Sequence, residues 1–359
     1  MKFLRLAFYV LIAQLVLSGC AGEAVEETSS SSSSEINFDA YLGRNASTRA
    51  GINNIDSLKG NKWYSGFGVF ARYNHNGKIS SLMDNEHVTW EENHWKYTNT
   101  RYWPNEGTVD FYAFAPYKPK VELVSPYSNS NKADSTYYIE FTSLTAPVDL
   151  VWANAKDQTK TNEPVKFTFN HALARLGFDI TANQDLKKND VIITVEEVKL
   201  YGDSIHKGAF DITGYLNLKT GVWDSIVGDV NSRAIYTWTP TGSEHGTSFK
   251  LSASQLDHTC EKIENAPNSY LCIIPQVKYY SFYLQITYKV TQGDFEEKVT
   301  VRKNLRDVRN PPGVSNPSFS FEKGKAYVFH LKLSLDPINF NVTTTVVPWN
   351  VVNDETIIL

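Results

Sequence analysis

Cysteines are the scarcest reactive side chains in this 359-residue chain, and the first of the three stands where a thiol has a defined fate. Cys20 closes the run Leu17-Ser18-Gly19-Cys20. Lys2 and Arg5 form a short positive region, and residues 6–17 form an apolar stretch of signal-peptide length, too short for a comfortable membrane span. Small residues before a cysteine make this a lipoprotein signal. Residues 1–19 are expected to be removed and the Cys20 thiol to carry diacylglycerol, an anchor that holds stably when two or three acyl chains act together. Cys260 and Cys272 lie further on, with Pro267 and Asn268 between them. In an oxidising compartment they would staple a hairpin. The other reading is two separate thiols, one of them in the apolar strand 271–274, because spacing does not show whether the side chains meet. Two cysteines without paired His or Cys nearby fall short of a zinc site.

Arg44 and Arg49 lie in a turn-rich loop with Asn45, Ser47 and Thr48. Exposed loops of small residues are where proteases cut; the alternative is two solvated arginines. Enzymatic chemistry has no comparable foothold. The chain carries no nucleophile elbow, P-loop, dinucleotide fingerprint or HExxH. The acid pairs Glu91-Glu92, Glu196-Glu197 and Glu296-Glu297 are adjacent, so on a strand they point to opposite faces. A glycosidase pair must instead converge across its substrate. His75, His87 and His94 read as surface positions. Neither catalysis nor a cofactor is expected. A net charge of −4 offers no basic surface for nucleic acid, and mild acidity favours solubility without naming a partner. Trp90, Trp95 and Trp103 lie close together. They would either fill a core or form a glycan-binding platform, and a platform needs coplanar exposed rings beside polar groups.

The elements that must hold these residues are short. Residues 20–35 follow the lipidated cysteine as an acidic, Ser-rich tether with nothing apolar to bury. Residues 36–42 alternate Ile36, Phe38, Ala40 and Leu42 against Asn37, Asp39 and Tyr41, the period-2 pattern of a half-buried strand. Residues 63–73 read as a strand with a glycine irregularity. Residues 91–94 read as a hairpin turn between aromatic arms, and 109–115 as a core strand ended by Pro116. Strand-length runs, β-branched or aromatic, continue between Gly, Pro, Asn, Asp and Ser, and Gly293-Asp294 joins two of them as a hairpin. No amphipathic helix of a dozen residues appears. The class is all-β, with sandwich domains. The length suits two domains. The polar, Pro-ended stretch 155–164 divides an N-terminal sandwich, 36–163, from a C-terminal one, 164–359, which opens on the strand from Val165. The tail, 339–359, is extended, with Pro348 interrupting it.

The run F-x-F-x-H-A-L-A-R-L-x-F within residues 165–180 resembles the segment that opens the C-terminal domain of the fimbrillin-like family, lipoprotein precursors of type V pilus subunits of anaerobic Gram-negative bacteria. Further pieces agree in order: the lipoprotein signal, Thr48-Arg49-Ala50, the run 63–70, VDFYAFAPY at 109–117, VDLVWANA at 148–155 and GAFDITGYLNLKTGVWDS at 208–225. Each piece is degenerate, so the resemblance is to the family. It implies two transthyretin-like β-sandwiches, an outer-membrane lipoprotein facing outwards, and other pilus subunits as partners. Glu23, Glu26 and Glu27 resemble the surface-export signal of such bacteria. The resemblance also implies a cut by an Arg-specific protease, at Arg49 with Arg44 as the alternative, which frees the first strand with its lipid. A neighbour's C-terminal strand then enters the vacated groove. The other reading of the tail is a last strand folded into its own domain. A different function class, a monomeric surface lipoprotein binding a glycan or host receptor through exposed aromatics, stands as the alternative.

Overall fold

The computed structural model describes residues 34–42, 55–60, 65–125, 137–143, 148–182, 190–205, 207–224, 233–242, 248–266, 269–278, 281–306, 319–334 and 341–348. These residues are nearly all β, and the 3₁₀ turn Ile55–Lys59 is a helical element among them. The largest sheet has seven strands. Its order is Phe38–Leu42, Val165–His171, Val151–Gln158, Thr108–Ala115, Phe67–His75, Lys78–Glu91, His94–Lys96. The expected hairpin turn is present. Glu91 faces His94 across it, and Glu92 and Asn93 both have positive φ, 49° and 65°, as the two central residues of a tight hairpin require.

Thr108–Ala115 runs through the middle of this sheet and explains its own composition. Val109, Phe111, Ala113 and Ala115 enter a core with Phe67, Trp95, Phe167 and Phe169. Tyr112 and Phe114 point the other way, into a second core with Phe70, Leu216, Leu218, Cys272 and Ile274. A strand buried on both faces reads as a continuous apolar run. The second core is roofed by the three-stranded sheet Trp223–Asp224, Thr213–Asn217, Tyr138–Thr142. Its lining therefore comes from both halves of the chain.

A third core lies between two further sheets. One holds Ile192–Gly202, Phe282–Gln292 and Phe295–Asn304; the other holds Ala174–Ala182, Lys325–Leu333 and Asn341–Pro348. Its largest members include Trp238, Tyr236, Phe178 and Tyr327. The turn expected at Gly293-Asp294 joins Gln292 to Phe295, with Gly293 at φ 56°.

Two pairings differ from the sequence reading. Val165–His171, expected to open a second sandwich, is sandwiched between Phe38–Leu42 and Val151–Gln158 in the first sheet. The chain crosses to the other sheet only after it, at Ala172-Leu173. Tyr138–Thr142, expected among the first strands, pairs with Thr213–Asn217. Alternation identifies a strand and its buried face, while its neighbours are chosen by contacts distant in sequence.

Candidate functional site

The first strand is held by its own alternation. Ile36 is fully buried and Phe38 is 4% exposed, while Asn37 and Tyr41 face solvent. The floor beneath is aromatic. The Phe38 ring stacks on Phe167 at 5.6 Å and meets Phe111 edge-on at 5.8 Å, with Tyr97 beside it at 5.5 Å. Phe67 links Phe167 to Trp95. Burying Ile36 and Phe38 stabilises the seated strand by about 1.5–3 kcal/mol each.

The main chain adds direction. Phe38–Leu42 runs parallel to Val165–His171, from Phe38 opposite Val165 to Leu42 opposite Phe169. The Val165 amide donates to the Asn37 carbonyl at 2.7 Å. At the start of the strand, the Ile36 amide donates to the Arg101 carbonyl at 2.8 Å, and the Tyr97 hydroxyl donates to the Ile36 carbonyl at 2.7 Å. Burial holds the Tyr97 phenol above its ordinary value, which keeps that donor protonated. On the solvent face the Tyr41 hydroxyl donates to the Asp39 carboxylate, a bond that raises the Tyr41 pKa. Among the described residues the strand is an edge element, paired along its length on one side, and its removal would bare both the rim of Val165–His171 and the aromatic floor.

The far end of the chain supplies a second edge. Asn341–Pro348 pairs antiparallel with Lys325–Leu333, from Lys325 opposite Pro348 to Lys332 opposite Asn341. Of the two readings of the tail, this chain shows residues 341–348 in their own sheet. Burial there is slight: Val342 is buried and Val346 only partly so.

The sequence matches the family model described as Fimbrillin-like over residues 48–349. The chain belongs to the fimbrillin-like family. That family consists of fimbrial structural subunits and is not a family of enzymes. Among curated proteins the chain is 24% identical over 385 residues to the fimbrium subunit Fim1C of Phocaeicola vulgatus, with 97% of each covered. Among solved structures it is similar to a fimbrial protein from Bacteroides vulgatus, with TM-score 0.61 and 22% identity over 88% of this chain and 99% of that one. That likeness is one of fold.

In this fimbrillin-like chain the residues singled out from sequence fall in three places. Cys20, Arg44 and Arg49 lie outside the described residues. Cys260 and Cys272 are free thiols, so the staple considered for them is not formed. The reason lies in the shared partner strand Ala174–Ala182. Cys272 stands opposite Arg175, and Lys262, two residues past Cys260, stands opposite Thr181. Six residues of strand separate those positions, roughly 20 Å. Cys272 is buried in the core shared by the two halves, and burial pushes its thiol up. The tryptophans form no platform: Trp95 and Trp103 are buried, and Trp90 meets Trp95 edge-on. Tyr201 and Tyr283 do stack, at 5.5 Å, with the Arg302 guanidinium over Tyr283 at 5.6 Å. One face of each ring is covered by the other, and both rings are half-buried.

The sequence reading did not foresee what the fimbrillin-like motifs share. His171 of the H-A-L-A-R run lies 2.7 Å, Nδ1 to Oδ2, from Asp149 of VDLVWANA, and both are buried. Arg175 of the same run stacks on Tyr270 at 4.5 Å. The Trp223 indole N–H, from the 208–225 motif, donates to the Ala172 carbonyl at 2.7 Å. The Asn154 side-chain amide donates to the Leu218 and Lys219 carbonyls at 3.2 and 3.0 Å. At Gly221, φ is +67° and an added Cβ would sit 1.8 Å from the Trp152 ring. The motifs thus mark the polar seams of the shared core. An Asp and a His set in otherwise apolar runs twenty-two residues apart were the available signal, since such groups are seldom buried unless paired.

Proposed function

We propose that this chain is a structural subunit of a cell-surface fimbrium. It is exported as a lipoprotein through Cys20 and polymerises by strand exchange after an Arg-specific protease cuts at Arg49, or failing that Arg44. The observation that carries the reading is the seat of the first strand. Phe38–Leu42 is an edge strand on an aromatic floor, joined to the strands that follow it through residues 43–54, where both arginines lie. A cut there leaves the strand held by non-covalent contacts alone. Once it departs, unpaired N–H and C=O groups and an apolar floor form a template for a new strand. The extended tail of another copy, or of another pilus subunit, is the strand supplied. On this reading the groove of the first sheet, rimmed by Val165–His171, accepts and the tail, 339–359, donates. Such contacts run head to tail and do not close, so they propagate into a filament. The outer membrane is reached through the lipid on Cys20.

On intact cells, the mature N-terminus is expected to begin just after Arg49 or Arg44. Replacing both arginines by Ala is expected to leave a folded, lipidated monomer that does not polymerise. Cys20→Ala is expected to move the protein from membrane to soluble fractions. If trimming with an Arg-specific protease yields no oligomer under any condition, the strand-exchange reading falls, and a monomeric surface lipoprotein or terminal subunit takes its place.

A further inference from the structure

One side of the tail strand is held and the other is loosened. On the solvent side, Asp179 stands directly opposite His330 on the neighbouring strand, and on the tail strand Thr345 is the diagonal neighbour of His330, two residues beyond Thr343, which faces it. His330 Nδ1 lies 2.8 Å from Asp179 Oδ2, and its Nε2 lies 2.7 Å from Thr345 Oγ1. Both bonds can be made in either charge state of the ring. An imidazolium donates twice; a neutral ring with its proton on Nδ1 donates to Asp179 and accepts from the Thr345 hydroxyl. Asp179 thus orients the imidazole and the imidazole reaches the tail.

On the core side Val342, Thr344 and Val346 turn inward. Thr344 Oγ1 is buried with no hydrogen-bond partner among the described residues. A buried hydroxyl without a partner disfavours the state that buries it. The docked tail is therefore favoured by its backbone ladder and by the His330 bond, and opposed by its own Thr344.

We propose that Asp179, His330 and Thr345 form a latch, in which His330 is the positioning residue that keeps the tail strand on its own sheet and sets how readily it leaves to be laid into another copy. This rests on the reading of the tail as the donated strand. The latch acts before assembly, by fixing the fraction of subunits whose tail is free.

Hydrogen exchange on the full, untrimmed chain tests the latch. Thr345→Val keeps the branched shape and removes the hydroxyl. The tail amides paired to Lys325–Leu333 should then exchange about three- to tenfold faster, the effect of one net hydrogen bond. His330→Gln should do the same, and it serves if Thr345→Val folds poorly. Thr344→Val should slow the same amides by a similar factor, while amides of Ile192–Gly202 stay unchanged in all three. After trimming by an Arg-specific protease, Thr345→Val should oligomerise faster than the parent and Thr344→Val more slowly. Tail exchange unaltered by both Thr345→Val and His330→Gln overturns the latch. Altered exchange with no oligomer from any trimmed variant keeps the hold on the tail but overturns donation.

Discussion

At the scale of single residues, Lys278 is the side chain whose burial carries the clearest consequence. It lies in the core beside the Phe210 ring, and among the described residues its ammonium reaches Gln276 Oε1, at 3.5 Å. The nearby Asp211 is already paired to Arg233 at 2.7 Å. Desolvation lowers the Lys278 pKa to about 8, against a partial pull upward from Asp211. The unfolded chain keeps an ordinary lysine pKa near 10.4. Between those values the unfolded state binds more protons than the folded one, so stability rises with pH through that window. The full span corresponds to roughly 3 kcal/mol. Lys278→Met keeps the stem and removes the charge. It is expected to be more stable than the parent at pH 7 by roughly 1–3 kcal/mol, with the gap closing by pH 10. Urea midpoints for both proteins at pH 7, 9 and 10 would check this, and a gap that stays constant across that range would count against it.

At the scale of elements, the first strand and the tail strand are both edges, but they are held differently. The first strand is held by side chains, with Ile36 and Phe38 buried over rings. The tail is held by main-chain bonds and the His330 contact, with little burial beneath it. Losing a buried ring costs about 3–5 kcal/mol. Phe38→Ala should therefore loosen the seat far more than any exposed change on the strand, such as Asn37→Ala. After cleavage in the 43–54 segment, gel filtration should show the Phe38→Ala peptide dissociating while the parent peptide is retained. Equal retention would mean that the ladder to Val165–His171, rather than the aromatic floor, holds the strand.

At the scale of the whole molecule, the core shared by the two halves is the consequential feature. Phe70, Tyr112 and Phe114 meet Leu216, Leu218 and Ile274 there, and the motif residues His171, Asn154 and Trp223 close its polar seams. A core lined from both halves couples their unfolding, so urea is expected to unfold the mature chain in one cooperative step. Trp152→Ala, which empties the ring's place over Gly221, should lower stability by about 3–5 kcal/mol while the transition stays single. Two resolved transitions in the parent, by fluorescence and circular dichroism, would show that the halves unfold independently.

The sequence by itself determined the all-β class, many of the strands with the faces they bury, and the tight turns at 91–94 and 293–294; strands such as Lys78–Glu91 and Phe319–Phe321 were not legible in full. Period-2 alternation at residues 36–42 and 165–169, and the turn residues at 92–93 and 293–294, are local properties of the backbone and its side chains. Family membership was legible for the same reason, because short motifs survive as residue types in order. Only the tertiary structure decided partners. It placed Val165–His171 beside the first strand, put Cys272 six residues along a common neighbour from Lys262, which lies two residues past Cys260, turned Trp95 and Trp103 into the core, and paired Asp149 with His171. It also seated the tail on its own sheet, where His330 meets Thr345. These outcomes depend on which surfaces meet in space, at separations that run from the fifteen residues between His330 and Thr345 to more than a hundred between Phe38 and Val165. Hydrophobic burial is non-directional, so alternation within one strand specifies a face to bury but leaves open which other strand will cover it.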